Sequence, residues 1–388
     1  MKSETPLFPV TVVGSWPRSP QLLRAMRQKH SGRIAGSEFD RVADRAVVDS
    51  LRAQESAGVD IVTDGEQRRD NFYSFVAEKL SGVRLMTLAD VLEVVEDKAG
   101  FEKILQTLDV PAYAMKTAAC VGKVERRRPL AVDDYRFLKE NTMRPIKVTL
   151  PGPYLLTRAM WVKEIAPEEY ASKEELGVDV VRALSEEVHA LRDAGVDFIQ
   201  FDEPVLTELV FATRETRTFM CASLAARNDP GEELEFAVSL INRVVAGVEG
   251  VRLGLHICRG NWSQNEAVLL EGSYHPLVPY LKRMNVQQLV LEFATPRAGA
   301  LSPLAEALEG RELGLGVVNP RTSEVEPPER IVARAEEALR YVEPEKLFLN
   351  PDCGFGTFAQ RPINTPEIAT QKLGAMSEAA ARLRSGHA

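Results

Sequence analysis

Cysteine is scarce, with only Cys120, Cys221, Cys258 and Cys353 in 388 residues. So few thiols, so widely spaced, exclude the disulfide framework of a small secreted domain and leave reduced sulfur available to a metal. Long hydrophobic runs are missing as well. No stretch approaches the ~20 apolar residues a membrane span needs, and residues 1–6 lack the apolar core of a signal peptide, so the expected location is the cytoplasm, with no membrane partner. Positive charge is not in excess: 48 Lys and Arg stand against 56 Asp and Glu, a net charge of −8. No overall basic field therefore recruits nucleic acid or anionic lipid. The Arg126-Arg127-Arg128 run is short and reads as a solvated hairpin edge. There is no linker, internal repeat or low-complexity segment. Nor does a glycine-rich nucleotide turn follow the first apolar run, where Val13-Gly14-Ser15-Trp16-Pro17 stands instead, and this counts against a doubly wound sheet.

What is present is alternation. Hydrophobic residues make up 45% of the chain, ample for a sizeable core. Apolar, β-branched runs at 9–15, 59–65, 145–151, 196–202, 252–258, 287–293, 313–318 and 346–350 read as strands. Helical patterns fill most of the intervals, at 39–57, 173–194, 233–245, 328–342 and 365–383. Eight such strands with helical crossovers predict an α/β chain folded as a (β/α)8 barrel, one domain over residues 1–388. The interval 71–143 is too long for one crossover and reads as an insertion between the second and third strands, perched on the barrel as a lid. Within it, 87–108 is helix-like, and 118–124 and 129–132 are expected to pair as a hairpin. The last residues, 385–388, are expected to fray.

In such a barrel the chemistry lies at the C-terminal ends of the strands. The fifth run ends in His256-Ile257-Cys258, and residues two apart on a strand face the same way. A histidine beside a cysteine there is half of a zinc site. Glu292 and Cys353, at the ends of the sixth and eighth runs, are candidates for the other half. A zinc ion on one imidazole, two thiolates and a carboxylate carries little net charge and suits an incoming thiol, which loses its proton on coordination. Glu292, as the weakest ligand, could give way to substrate sulfur. Elsewhere on the rim, Glu66 and Asp202 would suit an ammonium group and Gly14-Ser15 a carboxylate. Together these describe a thiol amino acid. Taken singly, each has an ordinary reading: Gly14-Ser15 as a turn, Asp64 or Glu66 as a helix cap, Asp202 or Glu203 as a rim ion pair. His30, His189, His275 and His387 read as surface residues, and Cys120 and Cys221 as structural.

Val13-Gly14-Ser15-Trp16-Pro17, Asp64-Gly65-Glu66 with Arg69-Asp70, Leu150-Pro151-Gly152-Pro153, Ile199-Gln200-Phe201-Asp202-Glu203-Pro204, His256-Ile257-Cys258 and Asn350-Pro351-Asp352-Cys353-Gly354, in this order, resemble the C-terminal catalytic barrel of the cobalamin-independent methionine synthases. The resemblance runs over nearly the whole chain. It implies zinc (Zn2+) on His256, Cys258, Glu292 and Cys353, homocysteine held by Gly14, Ser15, Glu66 and Asp202, and methyl transfer to the homocysteine sulfur. Three departures bear on the methyl donor. The folate-using enzymes are about twice as long, with an additional N-terminal barrel. They carry a histidine after the seventh strand, where Arg321 stands nearest here, and the Cys258-to-Glu292 spacing is longer here through an extra loop around Tyr274-His275-Pro276. Arginine keeps its proton and is a poor acid, so a methylated corrinoid, carried by a protein partner, is expected as donor rather than methyltetrahydrofolate. The runner-up is a zinc-dependent alkyltransferase of the same superfamily that adds coenzyme M to an epoxide. It would want cations for a sulfonate where this rim shows acids. A non-catalytic barrel binding zinc or a thiol amino acid is the alternative of another class, and the related decarboxylases lack the His-x-Cys pattern.

Overall fold

Strands buried on both faces dominate the computed structural model, which describes residues 5–107, 115–211 and 229–387. Cys221, Leu108 at the end of the 87–108 pattern, residues 1–4 and Ala388 lie outside the described residues. Six strands, β3 (Lys147–Pro151), β4 (Phe198–Asp202), β5 (Arg252–Ile257), β6 (Gln288–Leu291), β7 (Glu312–Val318) and β8 (Leu347–Pro351), form one parallel sheet in that order. Every residue of β3, β4, β6 and β8 is buried, as expected of parallel strands covered by helices on one face and packed on the other.

The first two apolar runs pair too briefly to count as strands. Single parallel bridges join Val10 to Leu349, Thr11 to Ile61 and Val62 to Ile146, with the Thr11 amide donating to Leu349 O at 2.9 Å and the Lys147 amide to Val62 O at 2.8 Å. The two outer strands of the sheet, β8 and β3, are therefore connected through these segments. Covering helices run over Gly36–Ser56, Lys173–Ala194, Pro230–Val244, Pro328–Ala338 and Pro366–Gly386, close to the sequence pattern in each case. The last is opened by the Thr365 cap and runs through Gly386, so residues 385–386, expected to fray, continue the helix instead. Among the described residues no helix is long and apolar enough to cross a membrane.

The interval 71–143 departs from expectation. The helix-like 87–108 pattern splits into Leu88–Val94 and Lys98–Thr107, the first opened by a reciprocal Thr87–Asp90 capping box. Residues 118–120 do join a hairpin, but with another partner: β1 (Val83–Thr87) pairs antiparallel with β2 (Lys116–Cys120), Val83 opposite Cys120. Residues 130–132 lead instead into the helix Val132–Asn141. Their amides are taken by buried Glu187, whose Oε1 accepts from Ala131 N at 2.6 Å and Val132 N at 3.0 Å, and whose Oε2 accepts from Leu130 N at 2.8 Å. Arg126 of the basic run completes this cluster with an ion pair to Glu187 at 2.7 Å, while Arg127 and Arg128 are exposed.

Candidate metal centre and substrate pocket

The C-terminal ends of the strands converge on one pocket. His256, 3% exposed, closes β5 opposite Asp202 of β4, and Cys258 lies one residue past the strand end. Cys353 follows β8 across Asp352, which brings a second thiol back to the same spot although 95 residues separate the two in sequence. The ligand atoms of His256, Cys258 and Cys353 all lie within 4.8 Å of one another, and the two sulfurs are 3.9 Å apart. Burial by itself would lower the His256 pKa. Hydrogen bonds to Asp202 and Cys258 outweigh it and raise the ring to about 10. Cys258 is held at about 5, chiefly by the Cys353 thiol that donates to it and then, against burial, by His256. The same contact pushes Cys353 well above the ordinary thiol range. The proton between the two sulfurs therefore belongs to Cys353, which donates it to Cys258. A compact set of one imidazole and two thiols, free of disulfide, is the donor chemistry of a zinc site.

Glu292 stands at the end of β6 as expected, but outside this group of three. Its carboxylate, 0% exposed, accepts from the Arg259 amide at 2.6 Å and from Arg321 at 2.9 Å, and is ion-paired to Arg297. Burial would push its carboxyl up, but Arg321, Arg297 and Arg259 together hold it down at about 2. Arg321 also reaches Glu266 at 3.2 Å and Asp352 at 3.4 Å and is wholly buried. Three carboxylates raise its pKa still further. The extra loop around Tyr274 props this corner: the Tyr274 hydroxyl donates to Ile257 O at 2.8 Å and accepts from the Glu292 amide at 3.0 Å, and Arg259 stacks 3.9 Å from its ring centroid.

Across the pocket, Glu66 has a left-handed backbone, φ 53°, directly after Gly65 at φ 66°. A non-glycine residue in that region is a strained placement of the kind found at functional positions. Its Oε1 accepts from the Thr149 hydroxyl at 3.1 Å, while Oε2 is buried with no hydrogen-bond partner. Burial raises its pKa to about 7 against the pull of Arg69. Gly14 is glycine for space: a Cβ there would sit 2.5 Å from Glu66 Oε1. Ser15 receives the chain that follows Cys353, its carbonyl accepting from the amides of Phe355 and Gly356. A Cβ on Gly354 would fall 2.1 Å from its Oγ. Asp202 Oδ1 accepts from Gln200 at 2.9 Å and lies 3.0 Å from His256 Nδ1. Ser15, Glu66, Asp202, His256, Cys258 and Cys353 line one pocket whose apolar walls include Phe72, Trp262 and Phe358.

Gly14, Ser15, Glu66 and Asp202 are thus brought together with the His-Cys-Cys group, and Glu292 is held behind it. Sequence reasoning missed Gln200, Arg259, Arg297 and Asp352, which orient these groups from behind. Proximity was the available signal: Arg259 and Asp352 each adjoin a candidate ligand, and Gln200 shares a strand face with Asp202. His275 is exposed and His189 half-buried, both away from the pocket.

A family model described as cobalamin-independent synthase, catalytic domain, matches residues 8–382. A methionine synthase from Thermococcus kodakarensis is 34% identical over 371 residues, 95% of this chain and 91% of that protein. One from Pyrococcus abyssi is 32% identical over 371 residues, again 95% and 91%. Among solved structures, a B12-independent methionine synthase from a Shewanella species, in complex with selenomethionine, superposes with a TM-score of 0.73 at 25% identity, covering 98% of this chain and 99% of that one. A methyltransferase from Methanosarcina mazei shares the fold at 15% identity and a TM-score of 0.52, over 97% of this chain and 94% of that one.

Proposed function

The chain belongs to the cobalamin-independent methionine synthase family, matching its catalytic domain over residues 8–382, and from that premise we propose that it methylates the sulfur of homocysteine to give methionine. It is a methyltransferase, and the single observation that carries the thiol chemistry is the buried His256–Cys258–Cys353 group at the strand ends. We read the six-stranded sheet and the two bridged segments as a closed (β/α)8 barrel, one domain with an insertion at about 71–143.

His256, Cys258 and Cys353 would hold zinc, with Glu292 as the exchangeable fourth ligand once it leaves its arginines. Zinc there would lower the pKa of a substrate thiol from ~8.5, making it nucleophilic at neutral pH. The residues around it orient the rest of the amino acid. Glu66, whose Oε2 has no partner, and Asp202 receive the ammonium, and Ser15 beside Gly14 receives the carboxylate. Phe72, Trp262 and Phe358 wall the pocket and keep water from the sulfur. The acids oppose a sulfonate-bearing thiol, so coenzyme M fits this pocket poorly. Free thiols among the described cysteines accord with a reducing, cytoplasmic location.

The thiolate electron pair forms the S–CH3 bond, and the pair of the old bond leaves with the donor. A folate amine needs a proton as it departs; a cobalt corrinoid leaves as reduced cobalt and needs none. Arg321 is buried among Glu292, Asp352 and Glu266 and cannot serve as that acid, which supports a methylated corrinoid, carried by a partner protein, as donor. Methyl transfer to homocysteine, measured side by side with methylcobalamin and methyltetrahydrofolate, tests this. Turnover with the corrinoid is expected. Turnover with the folate alone would reverse the donor assignment, and turnover with neither would remove homocysteine methylation.

A further inference from the structure

Four buried polar residues on three adjacent strands form one line of hydrogen bonds ending at the candidate metal. Lys147 of β3, Gln200 and Asp202 of β4, and His256 of β5 are 1%, 0%, 5% and 3% exposed. Lys147 Nζ donates to Val12 O at 2.8 Å and to Gln200 Oε1 at 3.1 Å. Gln200 Nε2 donates to Val13 O at 2.9 Å and to Asp202 Oδ1 at 2.9 Å. The same Oδ1 is 3.0 Å from His256 Nδ1.

The direction of each bond follows from the groups. The Lys147 amine donates N–H to Gln200 Oε1, so the glutamine turns its oxygen toward the lysine and its NH2 toward the aspartate. An ionised carboxylate only accepts, so His256 must donate from Nδ1. Nε2, which lies 3.4 Å from the Asp352 carbonyl oxygen beside Cys353, is then the nitrogen that would give up its proton and offer a lone pair to a metal. Were Gln200 flipped, its oxygen would face Asp202 and the line would break. Burying a lysine to orient a glutamine has no use in packing that an apolar pair would not serve better.

We propose that Lys147 and Gln200 are positioning residues: through Asp202 they fix the tautomer and ring orientation of His256 so that Nε2 is presented to the metal. Asp202 then has two duties, since it also lines the substrate pocket. This inference rests on the metal-centre reading above. It goes beyond the ligands to residues deep in the sheet that touch neither metal nor substrate. Outer partners of a histidine ligand typically change metal affinity tenfold to a hundredfold, and the same loss is expected here.

The test uses the full chain loaded with zinc. Zinc affinity is measured by competition with a chromophoric chelator for wild type, Lys147→Met and Gln200→Met, with circular dichroism as the check on folding. In parallel, 15N-histidine spectra read the His256 tautomer, the signal being assigned by its loss in His256→Gln. Wild type should show metal on Nε2 and a slowly exchanging Nδ1–H. Each variant should bind zinc about ten- to a hundredfold more weakly and lose the slow exchange of that proton. Folded variants with wild-type affinity and an unchanged Nδ1–H signal would overturn the relay while leaving the metal centre standing. If neither variant folds, the wild-type spectrum decides: Nδ1–H supports the relay, and metal on Nδ1 refutes it. Wild type that binds no zinc would refute the metal centre and the relay with it.

Discussion

Cys258 and Cys353 owe their unusual state to each other. Two thiols 3.9 Å apart, Cys258 buried and Cys353 partly so, cannot each keep an ordinary pKa, so Cys258 ionises easily and Cys353 does not. A divalent metal would relieve that competition. Cys258→Ala and Cys353→Ala should each abolish stoichiometric zinc by metal analysis while retaining the wild-type circular dichroism spectrum, because neither thiol lies within a strand. Glu66→Gln removes one charge-assisted hydrogen bond from the pocket. Homocysteine binding should weaken by about tenfold to a hundredfold, on a cost of about 1.5–3 kcal/mol, with zinc content unchanged, as calorimetry would show. Lys147 provides a pH signature at a distance from the metal. Burial lowers its pKa from 10.5 to about 7, so between pH 7 and 10.5 the unfolded chain binds the proton and the folded one does not. Folding stability contributed by this site should therefore rise across that window as pH increases, and be lost as pH falls toward 7. The stability of wild type relative to Lys147→Met, followed by urea denaturation from pH 7 to 10, should grow by about 3–5 kcal/mol; a flat difference would mean that Lys147 is not titrating as a buried amine.

Among the elements, the strands of the sheet were legible because burial on both faces writes itself as an unbroken apolar run. The pairing inside 71–143 was not. The stretch 83–87, Val-Arg-Leu-Met-Thr, alternates too weakly to announce a strand, and its partner 116–120 lies 29 residues on, so no local turn signal marks the hairpin. Residues 130–132 looked extended for the opposite reason: apolar and short, they are ordered by a side chain from far away in sequence. Glu187 of the helix Lys173–Ala194 takes three amides and one arginine there. Glu187→Ala should leave three buried amides and the half-buried Arg126 without their partner, and the expected cost is at least about 3 kcal/mol. A shift of that size in the urea midpoint, with the slope retained, checks it. Glu187→Gln should recover part of the loss, since its amide oxygen can still accept.

At the scale of the whole molecule, the candidate centre ties the end of β5 to the chain that follows β8, across 95 residues of sequence. Anything that binds only the folded state adds its binding free energy to stability, about 2.7 kcal/mol at a hundredfold excess over Kd. Stripping the metal with a chelator should therefore lower the melting temperature by a few degrees without changing the secondary structure. Adding zinc should restore it, and adding homocysteine on top should raise it further. Magnesium in place of zinc should restore nothing, because thiolates and imidazole are poor ligands for a hard cation.

By itself the sequence determined the order of the six sheet strands, the helices over them and the strand-end positions of Asp202, His256, Cys258, Glu292 and Cys353, and it set Gly14, Ser15 and Glu66 after two runs that make only single bridges. The physical reason is that strand period and burial are local properties, so a polar residue at the end of an apolar run is visible in the run itself. Only the tertiary structure decided what each rim residue faces. It set Glu292 among Arg259, Arg297 and Arg321 and apart from the thiols, and it put Asp202 behind His256. It also threaded Lys147 and Gln200 through the sheet to that aspartate. Most of those pairings join residues 29 to 54 apart in sequence, and a carboxylate's choice between metal, arginine and substrate depends on distances that no local pattern records.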